Sequence, residues 1–388
     1  AGVSNVPSDY ASRNPPECPD KNCQVCKFVH ELEEASVRHL SVSDVSDGAA
    51  RMPFTNRVAW LSTQRECADL RRTHSHLSQG TRPTRKATKI KDVKRYLQQA
   101  TVASDGVLVV PDHQPFQPSR ERIVVPRAVI NGLLTAIHIR FNHPTQHQLK
   151  KLVSRFFYAL DIDKALAAVC DSCHHCMSLR SMPSYISEQS TSDPPASVGV
   201  YFSLDVMRRY RQYVLVLRES ISAYTLTSLI ANEQRDTLRD AVLTLCAELR
   251  SLGDHRITIK VDPAPGFASL SNDPILHAHG IYLEIGGAKN PNKNPIAEYA
   301  IAELGREYLQ INPEGGPFTS VALALATANL NSRIRASGLS AREIWTQRDQ
   351  FTGEQLPLED HQLILQRHFS RTQNHGPSVL FKSHGRPL

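Results

Sequence analysis

Val200-Tyr201-Phe202-Ser203-Leu204-Asp205 alternates apolar with polar residues. A period of two marks a strand with one buried face. Val200, Phe202 and Leu204 form that face, and Asp205 stands out of phase with it, at the strand's expected C-terminal end. Arg256-Ile257-Thr258-Ile259-Lys260-Val261-Asp262 repeats the pattern, with Ile257, Ile259 and Val261 inward and the acid last. Two such strands side by side place two carboxylates on one rim of a sheet.

A third acid belongs to a helix. Asn294 suits the N-cap and Pro295 the first helical position. Ala297, Ala300, Ile301, Leu304 and Tyr308 recur at helical spacing and predict a buried stripe. Glu298 flanks that stripe in the first turn, whereas Glu303 and Glu307 are expected on its other side. The spacing is Asp205-x56-Asp262-x35-Glu298. Taken singly, each is an ordinary exposed acid at the end of an element. In the order strand, strand, helix, they suit two Mg²⁺ or Mn²⁺ ions, which prefer oxygen ligands. A two-metal site stabilises the attacking and leaving oxygens of an in-line phosphoryl displacement.

Upstream lies a constellation of softer ligands, His138-x4-His143-x29-Cys173-x2-Cys176. Two imidazoles and a Cys-x2-Cys knuckle match a closed tetrahedral Zn²⁺ site. Leu149, Leu152, Val153, Phe156 and Phe157 predict one amphipathic helix between them; Ala165, Leu166 and Val169 predict another. So small a module buries too little surface to be stable without such a staple. Cys170 with Cys173 forms a rival knuckle, and His147, His174 and His175 are rival imidazoles.

Together, the two constellations resemble the integrases of retroviruses and gypsy-class LTR retrotransposons, over roughly residues 85–350. Phe267 and Ser269 follow Asp262 as in that family. Lys289-Asn290-Pro291-Asn292-Lys293-Asn294-Pro295 occupies the place of its mobile catalytic loop. A departure is Ala159 after Phe157-Tyr158, where many relatives carry Trp. The resemblance implies a multidomain α/β protein. Its catalytic core would be ribonuclease-H-like, a mixed five-stranded sheet with helices, preceded by a small helical zinc-binding domain and an N-terminal extension domain. It implies that Asp205 bridges two metal ions, with Asp262 and Glu298 holding one each. It also implies 3′-end processing of element DNA, strand transfer into target DNA, double-stranded DNA as partner, and a homo-oligomer, a tetramer on DNA. Lys289, Lys293, Lys150 and Lys151 are expected at phosphates.

The formal charge is +7, unevenly spread. Residues 51–99 hold twelve basic and three acidic side chains, an excess of nine that surpasses the chain's own. Such a stretch suits phosphate contact, although some of it reads equally as solvated helix faces. The run 82–95 also reads as a nuclear-import signal, so the expected location is the nucleus, after a cytoplasmic assembly phase. The eight cysteines cluster in short spacings, which predicts reduced, metal-binding thiols rather than a disulfide framework. Cys67 and Cys246 fall in helical patterns and are expected to be buried. The longest apolar run, at 321–330, is too short for a membrane span.

Residues 1–50 read as a polyprotein linker, with the end of a ribonuclease H region in which Asp9 has no assigned role. Within them Cys18-x4-Cys23-x2-Cys26-x3-His30 offers four ligands for a second Zn²⁺, or is simply a thiol-bearing linker. Residues 51–130 form the expected extension domain, with a helix around Val58, Leu61 and Leu70 and strands at 107–110 and 122–125. Residues 131–180 make the zinc-binding domain, 181–195 a Ser/Pro-rich linker, 196–340 the catalytic core, and 341–388 a C-terminal tail without a complete β-barrel. Two other readings fit some of the pattern. One is a domesticated, catalytically idle DNA-binding protein, which has no need of three carboxylates. The other is a ribonuclease-H-type nuclease that cuts without joining, which has no need of the zinc module.

Overall fold

The computed structural model describes residues 52, 54–83, 90–112, 120–178, 197–249, 256–286, 294–335, 337–359 and 362–363. Cys18, Cys23, Cys26, His30, Asp9, Lys289, Lys293 and the linker at 181–195 lie outside the described residues. Those residues fall into two compact units. The first takes residues up to 178 together with Arg333–Leu339 and Arg348–Pro357; the second takes 197–332 with Ser340–Gln347.

In the first unit, α1 (Arg57–Glu66), α2 (Ala68–Ser78) and α3 (Lys91–Tyr96) precede β1 (Thr101–Val102), β2 (Leu108–Asp112) and β3 (Arg120–Val124). The helix expected around Val58 is two helices. Val58 is 79% exposed, while Trp60 and Gln64 face inward. The Gln64 amide donates to the carbonyls of Leu108 (3.0 Å) and Val124 (2.8 Å), and its oxygen accepts from Leu108 N–H. A buried amide is tolerable only when satisfied in this way, and these bonds lock α1 to two strands. Cys67 caps α2 and is half-buried rather than buried.

Next come α4 (Ile130–Arg140), α5 (Gln146–Val153), β4 (Phe157–Tyr158), α6 (Ile162–Ser172) and α7 (His174–Ser178). The helix expected to run through Phe157 stops at Val153. Phe157 instead pairs with Ile123 as β4 joins β3 in parallel. Trp60, Val109 and Ile123 then share one core with Leu133, Leu149 and Leu166. The boundary expected at 130 therefore separates no cores: one core runs across it, which is how so small a zinc-binding segment gains burial it could not reach alone.

The expected tail after 340 is partly structured as well. Buried Asp349 accepts from Arg120 (2.7 Å) and from the N–H groups of Phe351 and Thr352, while Phe351 meets Phe141 and Phe156 edge-on. Two of the basic side chains of 51–99 are paired inside this unit. Arg57 pairs with Asp105 and Glu121, and Arg95 with Asp161 and Asp92.

The second unit is a sheet with helices on both faces. Its strands are β5 (Tyr201–Arg209), β6 (Gln212–Glu219), β7 (Thr225–Ile230), β8 (Ile257–Val261) and β9 (Ile281–Ile285), in the spatial order β7-β6-β5-β8-β9. β5, β6 and β7 pair antiparallel; β8 and β9 run parallel to β5. On one face α8 (Arg235–Leu249) packs Leu238, Val242 and Leu245 on Phe202, Leu204 and Ile259. The short helices α9 (Pro265–Ala268) and α10 (Pro274–Ala278) lead from β8 to β9. On the other face α11 (Pro295–Ile311) and α12 (Ser320–Ser332) pack Ala300, Leu304, Tyr308 and Leu330 on Val214 and Val216. α13 (Ala341–Thr346) follows, its Trp345 stacked on Tyr224. No described helix is long and apolar enough to cross a membrane.

Glu303 and Glu307 correct the expectation for α11, since both are buried, at 6% and 2% exposure. Glu303 lies 2.6 Å from Arg218, itself buried and bonded to the Thr225 hydroxyl. Breaking a buried pair strands the other charge, at a cost of about 3–5 kcal/mol. Glu303→Gln should therefore lower the unfolding free energy of the second unit by that order, read as a lower midpoint in urea. A midpoint unchanged within error would show the pair to be dispensable.

Candidate metal centre and active site

Four ligand atoms of the first unit converge. His138 ends α4, and His143 follows in a turn whose N–H donates to the His138 carbonyl. Cys173 caps α6, and Cys176 lies in α7. Their ligand atoms all lie within 4.8 Å of one another, with His138 Nε2 to Cys176 Sγ at 3.1 Å and Cys173 Sγ to His143 Nδ1 at 3.3 Å. Tetrahedral Zn²⁺ with ordinary bond lengths needs ligands about 3.5 Å apart, so the set fits the ion. Burial, with His175 and His138 nearby, pushes His143 down to about 4; burial and His175 also lower His138. Both imidazoles are therefore neutral at pH 7, the form that binds metal. The rival Cys170 is buried in the hydrophobic core instead, and His147 and His174 are exposed. His175 stacks on His143 at 4.4 Å between ring centroids. Among the described residues this is the one tight group of His, Cys, Asp or Glu that could share an ion.

The carboxylates gather in the second unit by a different device. Parallel pairing of β5 with β8 ends at Leu204 opposite Val261, so Asp205 and Asp262 are the next residue of each strand. Asp205 is not at a strand end, as the alternation suggested. β5 continues to Arg209 because β6 keeps pairing with it, Asp205 opposite Val216. Cross-strand partners share a face, and Val216 lies under α11. Asp205 thus points to the side that carries Glu298.

Asn294 brings α11 to that rim. Its side chain makes no cap bond; it is fully buried and donates to the Leu204 carbonyl (2.8 Å) and the Lys260 carbonyl (3.2 Å). These carbonyls sit one and two residues before the two aspartates. Its backbone carbonyl accepts from Glu298 N–H, so the start of α11 is fastened where β5 and β8 diverge. The clasp depends on partners distant in sequence, and helix-capping statistics could not show it.

Burial pushes Asp205 up to about 6, reinforced by Asp262, Glu298 and Glu233 and opposed by its bond from Val206 N–H. Asp262 Oδ1 is buried without a hydrogen-bond partner. A desolvated carboxylate among like charges and an orphaned carboxylate oxygen are what a hard divalent cation would satisfy, although the ligand oxygens of the three acids are not drawn into one tight group as the His and Cys atoms are. The folded protein takes up a proton at Asp205 more readily than the unfolded chain does. Without metal, that carboxylate favours folding less and less as pH rises from about 4 through 6. Ca²⁺ should accordingly raise the melting temperature of the second unit at pH 7.5 and much less at pH 5. Equal shifts in calorimetry at both pH values would argue against ion binding here.

The strand order, with two parallel strands appended to an antiparallel three-stranded meander, is a mixed five-stranded sheet with helices, as expected. No family model matches the chain, and neither does any curated protein sequence. Among solved structures, the catalytic core domain of BIV integrase is similar to it at 21% identity and a TM-score of 0.32, over 38% of this chain and 93% of that one.

Of the lysines expected at phosphates, Lys150 is exposed and paired with Asp163 at 2.6 Å; Lys151 is half-buried on α5. Sequence reasoning missed Asn294 as a clasp and Glu233 as a fourth acid near Asp205.

Proposed function

We propose that this chain is a retroelement integrase, which processes 3′ ends of element DNA and transfers them into target DNA. The observation that carries the reading is the meeting of Asp205, Asp262 and the clasped start of α11 at the point where β5 and β8 separate. Asp205, Asp262 and Glu298 would hold two Mg²⁺ or Mn²⁺ ions. Such a pair, when bound, stabilises the attacking and leaving oxygens of an in-line phosphoryl displacement. The chain's own role is positioning. Asn294 sets the height of Glu298 over the strands; Asp205 and Asp262 are half-buried there, while Glu298 is exposed at the rim. In the first step water would cleave a phosphodiester, leaving a 3′-hydroxyl and a 5′-phosphate; in the second that hydroxyl would displace a target-strand 3′-hydroxyl, exchanging one phosphodiester for another, so neither step requires a covalent link to the protein. His138, His143, Cys173 and Cys176 would hold Zn²⁺ as a structural staple. Double-stranded DNA as substrate, assembly as a homo-oligomer and action in the nucleus belong to the same proposal.

The test is one labelled duplex carrying the element's terminal sequence, incubated with the full chain and Mg²⁺. Trimmed and joined products support the reading. Trimming without joining would favour a nuclease, and neither product would favour an idle DNA-binding descendant.

A further inference from the structure

The two-residue loop between β5 and β6 is Tyr210-Arg211, and Arg209 faces Gln212 across it. Both loop residues have positive φ, 46° and 63°. Tight hairpins of this kind strongly prefer Asn-Gly, because side chains with a Cβ are strained there. A tyrosine and an arginine therefore occupy the turn at a cost to stability. Neither side chain repacks inward: Tyr210 is 63% exposed, and Arg211 is exposed too.

The flanking residues hold the tip rigidly. The Arg209 guanidinium lies over Tyr308 (4.8 Å) and Phe318 (5.6 Å), and its Nε donates to the Gly316 carbonyl. Gln212 exchanges two hydrogen bonds with the Phe318 backbone, at 2.9 and 2.6 Å. A Cβ on Gly315 would stand 3.2 Å from Arg209 Nη2, so the opposing segment is also shaped to this clamp. Arg208, on the neighbouring position, is 67% exposed, with Glu233 as its ion-pair partner.

We propose that this hairpin tip is a DNA-contact site, with Arg211 and Arg208 meeting backbone phosphates and the Tyr210 ring lying against sugar or base. The inference rests on the proposed DNA substrate. Five residue steps along the chain lead from Asp205 to Tyr210, about 17 Å of extended strand. That equals about five nucleotide steps at about 3.4 Å each along one strand, so one bound duplex reaches both. A rigid, strained tip loses little conformational entropy on binding, which is the benefit of preorganisation.

The test replaces the tip with its ideal turn, Tyr210→Asn with Arg211→Gly, in the full chain. Binding to a 30-base-pair duplex is measured in Ca²⁺ against salt, alongside polyglutamate as an acidic-protein probe. The variant should melt at or above the wild-type temperature. Its DNA affinity should fall at least about fivefold, and the slope of log affinity against log salt should shrink by about one, as for a lost phosphate contact. Arg211→Gln alone, with the turn otherwise intact, should shrink the slope equally. DNA binding unchanged in both variants overturns the proposal, as does loss of polyglutamate binding alone, which would assign the tip to an acidic protein. A wild-type chain that binds no DNA overturns the proposed function itself; wild-type trimming with unaltered variant binding overturns only the hairpin site.

Discussion

Asp205→Asn, Asp262→Asn and Glu298→Gln should each abolish 3′ processing and strand transfer together, by more than about a hundredfold. Each substitution keeps the shape of the side chain and removes one of the negative charges that would hold two divalent cations about 3.5–4 Å apart. Loss of even an outer-shell partner of a metal ligand typically costs 10–100-fold, so loss of a ligand charge should exceed that. The two reactions should fail in parallel because they would share one set of carboxylates. Ca²⁺ in place of Mg²⁺ should also leave the wild type inactive, since its longer bonds and looser geometry fit the transition state poorly.

The control must be chosen from the structure. Glu303 and Glu307 are buried, so their loss would confuse folding with chemistry. Glu248 is exposed on α8, on the opposite face of the sheet from Glu298; Glu248→Gln should keep full activity. Melting temperature read beside activity separates the effects further. Asp205→Asn should not destabilise the metal-free protein, because it removes a carboxylate that burial and its neighbours already disfavour. Joining by Glu298→Gln at near wild-type rate would sink the assignment of the third acid.

What was legible in the sequence was local. Alternation around Phe202 and Ile259 revealed both strands and the phase of their aspartates, because burial of one face imposes a period of two. It could not reveal where β5 ends, since that is decided by β6 continuing to pair beyond the last β8 partner. The burial of Glu303 has no local signal for the same kind of reason. A helical wheel ranks a glutamate as outward unless its partner is known, and Arg218 lies on a strand 85 residues away. The choice of Cys173 with Cys176 over Cys170 followed the resemblance to a family. Its physical basis became visible only once α6 turned Cys170 into the core. The shared core of the extension and zinc-binding segments had no sequence signal either, because β4 is only two residues long.

That shared core shapes what zinc removal should do. A structural Zn²⁺ in small peptides contributes roughly 10–16 kcal/mol to folding, and here it would join the end of α4 to α6 and α7. Asn142 and His143 both hold positive φ, 56° and 54°, strain of order 1–3 kcal/mol per residue that persists only where surroundings impose it. Cys173→Ala or His143→Ala should release that turn and detach α7 first. Trp60, Ile123 and Leu133 pack in the same core as Leu166, so the damage should spread through the first unit as a lowered, broadened melting transition. The second unit, with its own core, should melt as before. A zinc-selective chelator should reproduce the effect on the wild type and open residues 140–178 to protease. Cys170→Ala removes only a core thiol, so it should retain one equivalent of zinc and lose no more than about 1–2 kcal/mol. Purified protein without zinc, or a first unit whose melting ignores both Cys173→Ala and the chelator, would refute the site; zinc lost on Cys170→Ala would show that the other knuckle holds it.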